Sequence, residues 1–126
     1  MKIHITRDSV CAADDINPHV GKGSIADDAD RDAIVEKSLQ LNPLPQIIGG
    51  CASWVLSSGV PIAVIAQQWS APKYFLSATA ERKDFDIRDN TLRLRLAYFA
   101  QRDPNEVFAD LSRPRLAGFE WKWQND

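Results

Sequence analysis

The chain has little of what many small specialised proteins depend on. Of its 126 residues, two are cysteine, two are histidine and one is methionine. Two cysteines exclude a disulfide scaffold, which a domain of this length does not need. No window approaches the roughly 18 apolar residues that a membrane-spanning helix requires. The longest apolar stretch, Val60 to Ala66, is seven residues and carries Pro61. The first residues, Met1-Lys2-Ile3-His4-Ile5-Thr6-Arg7-Asp8, are interrupted by charge and do not read as a secretory signal. Neither sign of charge dominates: 15 basic residues against 17 acidic ones leave a net charge of −2. That balance argues against non-specific nucleic-acid binding as the default reading. The G-x-S-x-G and G-x-x-x-x-G-K-[ST] patterns are absent, which removes a nucleophile elbow and a phosphate loop. Internal repeats, heptads and low-complexity tracts are absent too.

What is present is ordinary in amount. Apolar residues make up 44% and charged residues 25%. This is the composition of one globular domain spanning 1–126, here read as α+β and cytoplasmic. Without a secretory signal, Cys11 and Cys51 read as free thiols in a reducing cytosol.

Hydrophobic periodicity supplies the elements. Lys2 to Thr6 alternates, with Ile3 and Ile5 on one face, which predicts a half-buried strand. Val10 to Pro18 reads as a loop, and His19 to Ile25 as a weak second strand interrupted by Gly21 and Gly23. Asp27, Asp28, Asp30 and Asp32 then precede Ala33–Leu41. Carboxylates there would cap free N–H groups and meet the positive end of a helix, and Ile34, Ser38 and Leu41 repeat at helical spacing. Pro43 and Pro45 end the helix. Cys51 to Gln67 predicts a hairpin: Trp54-Val55-Leu56, a turn at Ser57-Ser58-Gly59, then Val60 to Ile65. Trp69 to Ala80 is ambiguous. Phe85 and Ile87, a turn at Asp89-Asn90, and Thr91 to Phe99 predict a second hairpin, with Leu92, Leu94 and Leu96 facing the core and Arg93 and Arg95 facing away. Asp103, Pro104 and Glu106 open a short helix. Residues 113–126 form an aromatic-rich tail or edge strand. The expected fold is a mainly antiparallel sheet of about five strands, with one long helix on a face and a short C-terminal helix. The opening ββαββ order resembles a β-grasp arrangement.

Five constellations are candidates for chemistry. Cys11, Asp14, Asp15 and His19 hold a thiol, two carboxylates and an imidazole within nine residues, the ingredients of a metal site or a thiol–imidazole pair. Their spacing matches no metal signature, and a polar loop with Asx turns is the plainer reading. Asp28, Asp30 and Asp32 begin like a calcium loop. Ala33 and Leu39 stand where its Gly and Glu belong, so helix capping is preferred. Gly21-Lys22-Gly23-Ser24 is phosphate-loop-like only in composition. Arg93 and Arg95, with Arg88, Arg82 and Lys83 nearby, form a basic sheet face that could meet an acidic partner or a nucleic acid. Ten basic and nine acidic residues in 73–126 argue against nucleic acid and for a salt-bridged face. Phe119, Trp121 and Trp123 share one face if extended and must be buried, within the chain, against a partner or in a homo-oligomer.

No cofactor signature is present. The expectation is a small non-catalytic protein-binding domain, most concretely an immunity or inhibitor protein that neutralises a bacterial toxin by binding it. Its candidate contact residues are Asp27, Asp28, Asp30, Asp32, Arg93, Arg95, Phe119, Trp121 and Trp123. The five basic and eight acidic residues of 1–72 would suit a basic toxin, because complementary charge speeds encounter. A small enzyme or metal protein using Cys11, Asp14, Asp15 and His19 is one alternative. A nucleic-acid accessory protein using Arg93 and Arg95 is the other.

Overall fold

Alternation of apolar and polar residues makes Lys2–Arg7 (β1) a strand one in from the edge of a sheet, with the edge strand Val20–Ser24 (β2) antiparallel beside it. The computed structural model describes residues 1–11, 18–75 and 84–112. The helix Arg31–Leu41 (α1) follows. Then come Ser53–Ser58 (β3), Val60–Ala66 (β4), Lys73–Tyr74 (β5), Ile87–Arg88 (β6) and Thr91–Tyr98 (β7), and the helix Pro104–Ser112 (α2). The expected ββαββ order of the first five elements is therefore present.

The sheet runs β2-β1-β7-β3-β4-β5, with β6 also paired to β7. Among the described residues it has seven strands, where about five were expected. The strand that was not expected is the two-residue β5, in the ambiguous stretch after Trp69. Among the described residues all pairings are antiparallel except that of β1 with β7, where Ile3 lies beside Leu92 and Ile5 beside Leu94. The expected second hairpin is correspondingly short. Ile87 and Arg88 pair with Leu92 and Thr91 across Asp89 and Asn90, both with positive φ. Two left-handed residues suit the twist of a two-residue hairpin turn.

One sheet face carries Ile3, Ile5, Trp54, Leu56, Leu92, Leu94 and Leu96, all buried, and α1 covers it with Ile34 and Val35. The Asp30 side chain caps α1 by accepting the Ala33 N–H at 2.9 Å. Its far end is tied to the sheet by Asn42, whose side-chain amide donates to the carbonyls of Ile5 (3.3 Å) and His19 (3.0 Å). Val55, Val64 and Ala97 look the other way and meet Val107 of α2. The Asp103 carboxylate accepts the Asn105 N–H at 2.9 Å, and Pro104 occupies the first turn, where no N–H is needed. Phe108 of α2 stacks on Phe75 at 4.7 Å. Between β3 and β4 the chain reverses at Gly59 (φ +71°), a left-handed position that favours glycine. Among the described residues no helix is long and apolar enough to cross a membrane. Cys11 and Cys51 are both free and exposed.

Candidate functional site

The second sheet face is apolar at the α2 end and polar at the other. Register explains the division. His4 lies between Lys22 and Arg93, and Thr6 between Val20 and Arg95, so these side chains share one side of the sheet. Ser57 continues the Arg95 row. The basic face expected from Arg93 and Arg95 therefore extends across β1 to Lys22.

The face is held together by its own carboxylates. Arg95 grips Asp8 through Nε (3.2 Å) and Nη2 (3.1 Å), and the same carboxylate accepts the Tyr98 N–H at 3.1 Å. Asp86 lies between Arg88 (3.2 Å) and Arg93 (3.4 Å). A paired guanidinium is a weaker lure for phosphate than a free one, since binding would first have to break the pair. The tight pairing fits the salt-bridged face preferred from the sequence.

The acidic approach to α1 is largely engaged within the chain. Asp27 meets the N-terminal ammonium at 2.6 Å. Asp30 is the cap. Asp32 accepts the Tyr74 hydroxyl, while the Arg31 guanidinium lies 4.2 Å from the centre of the Tyr74 ring. Burial, with help from the Asp32 hydrogen bond and charge, pushes the Tyr74 phenol up to about 12. Asp28 is exposed.

Asp14 and Asp15 of the proposed thiol–carboxylate–imidazole group lie outside the described residues, as do Arg82, Lys83, Phe119, Trp121 and Trp123. His19 turns its Nδ1 to Arg7 Nη2 at 2.8 Å, and the Arg7 guanidinium sits 5.9 Å from the Trp54 ring centre. Among the described residues no group of three His, Cys, Asp or Glu side chains could hold a metal ion.

Sequence reasoning passed over Ile48. It lies between Pro45 and Gly49-Gly50 and is 96% exposed. The loop around it is clamped. Gln67 donates to the Ile47 carbonyl at 3.1 Å and accepts the Ala52 N–H at 3.3 Å. Gln101 donates to the Ile48 carbonyl at 3.4 Å, and the Gly50 N–H closes a turn onto Ile47 at 3.0 Å. An Ile-Ile pair bounded by helix breakers was the available signal. Its exposure depends on glutamines far away in sequence.

No protein-family model, curated protein or solved structure matches the chain.

Proposed function

We propose that this chain is a small, non-catalytic protein-binding domain of the cytoplasm, and most concretely an inhibitor or immunity protein that covers the site of a toxin. The observation that carries the reading is Ile48. A single exposed aliphatic side chain is common on protein surfaces. One held out on a clamped loop is different, because the ordering entropy of that loop has already been lost on folding. Such a side chain can enter a partner's pocket at little further entropic cost, as binding hot spots do. Carboxylates and guanidinia elsewhere in the chain are engaged with one another, which leaves shape and apolar burial as the main sources of affinity at Ile48.

Affinity capture from the source cell tests this. A single dominant partner is expected, and Ile48→Asp should weaken its binding about 30-fold or more, the size of a hot-spot loss. The melting temperature should not move. Recovery of no partner, together with a gene neighbourhood of metabolic enzymes alone, would overturn the reading.

A further inference from the structure

The outer edge of β2 offers a second contact of a different kind. In an antiparallel pair, residues alternate between exchanging both backbone bonds and exchanging none. The Met1 ammonium donates to the Ile25 carbonyl at 2.9 Å, the Ile25 N–H donates to the Met1 carbonyl at 3.0 Å, and the Arg7 N–H reaches the His19 carbonyl at 3.0 Å. The intervening odd residues, Ile3 and Ile5, therefore bond to Gly23 and Gly21. Val20, Lys22 and Ser24 are left with their N–H and C=O groups turned away from β1. All three residues are exposed, and among the described residues none of these groups has a partner. The strand is braced from behind. A Cβ on Gly21 would stand 2.5 Å from the Leu41 carbonyl oxygen, and one on Gly23 would stand 3.0 Å from the Leu41 side chain.

We infer that this edge takes up an extended, acidic segment of a partner protein as an added strand. An unpaired edge of this kind is a template for strand addition. Its chemistry selects the occupant. Lys22 projects at the middle of the edge, on the face it shares with Lys2, His4 and Arg93. A second copy pairing antiparallel about Lys22 would set lysine against lysine, which is destabilising. Sliding the register by two residues relieves that contact only by giving up ladder bonds. An Asp or Glu opposite Lys22 turns the same position into an attractive cross-strand pair. Asp27, just beyond the strand, is already met by the N-terminal ammonium. The inference rests on the protein-binding reading and adds to it the conformation and charge of the bound segment.

The test is an NMR titration of the intact chain with a short, blocked peptide of alternating valine and aspartate. The amides of Val20, Lys22 and Ser24 should shift and exchange more slowly with solvent. Affinity should fall about tenfold or more when lysine replaces aspartate in the peptide, and by a similar factor in Lys22→Glu. Lys22→Pro removes an outward N–H without touching the β1 ladder and should also weaken binding, with the melt confirming that both variants fold. N-methylation of alternate peptide amides should abolish it. Equal binding of the basic peptide, shifts confined to other strands, or slowed exchange that tracks protein concentration without peptide would each overturn the inference. Cellular capture separates this result from the broader one. A partner retained by Lys22→Glu and Lys22→Pro but lost by Ile48→Asp ends the strand-addition idea and leaves the binding reading intact. Failure to capture any partner counts against the binding reading itself.

Discussion

Asp8 and Arg95 are 87 residues apart in sequence and joined by two parallel N–H···O bonds at the far end of β1. The same carboxylate also receives the Tyr98 N–H. Asp8→Ala therefore strands a backbone donor as well as a guanidinium and should cost about 2 kcal/mol, in the range of hydrogen bonds to charged groups. Arg95→Ala leaves Tyr98 satisfied and should cost about half as much, again on that scale. Urea unfolding midpoints compare the two directly. Equal losses would show that the Tyr98 bond contributes nothing.

Gly21 and Gly50 should respond to alanine for different reasons. At Gly21 the new methyl would stand 2.5 Å from the Leu41 carbonyl oxygen, backbone that cannot easily yield. Overpacking of that kind costs about 1–3 kcal/mol. At Gly50 (φ +68°) nothing lies within 4 Å, so only the left-handed backbone matters. That costs about 1 kcal/mol. Denaturation of the two variants should rank Gly21→Ala as the more damaging.

The Tyr74 phenol, raised to about 12 from 10.0, links stability to alkaline pH. The unfolded chain loses this proton near pH 10 while the folded one holds it. The stabilisation is therefore complete below pH 10 and lost as pH rises towards 12. Asp32→Asn removes both the charge and the anionic acceptor, so the pKa should fall towards its ordinary value. Tyrosinate absorbance in a Tyr98→Phe background, where Tyr74 is the remaining tyrosine, reads the shift; a pKa unmoved by Asp32→Asn would refute the link.

Gln67→Ala should loosen the loop that holds Ile48. Two backbone groups, the Ile47 carbonyl and the Ala52 N–H, lose a partner. The site is exposed, so water replaces much of the loss and global stability should change by about 0.5–1 kcal/mol. The clearer readout is local. The Gly50 and Ala52 amides should exchange faster with solvent, and capture of a partner through Ile48 should weaken although Ile48 itself is intact.

Local patterns were legible and distant pairings were not. The Asp30 cap, the run to Leu41, the reversal at Gly59 and the alternation of Leu92, Leu94 and Leu96 all depend on neighbours a few residues away. Each is readable because a helix or strand repeats its contacts at short period. Gly21 and Gly23 looked like defects in a strand. They are the places where the end of α1 comes within van der Waals reach of the backbone. Arg93 and Arg95 were correctly placed on the outward face of their strand. Their alignment with His4 and Thr6 was invisible, because a parallel neighbour leaves no trace in local alternation. Asp8, which engages Arg95, was hidden for the same reason, whereas Asp86 lies opposite Arg93 across the short antiparallel hairpin of β6 and β7. The exposure of Ile48 depends on Gln67 and Gln101, which no spacing rule connects to it.

The parallel pairing of β1 with β7 also sets a timetable for folding. β1 has its inner neighbour at residues 91–96, so it must wait until the chain has been synthesised that far. At about 5–20 residues per second, that delay is roughly 5–20 s. During it, the β1–β2 hairpin can form only against solvent and α1, and a lone hairpin is marginal in water. Ile3 and Ile5 spend that interval short of their leucine neighbours. A late, cooperative closure led by β7 is the expected outcome, and a ribosome-bound chain ending before Thr91 should remain open to protease along β1.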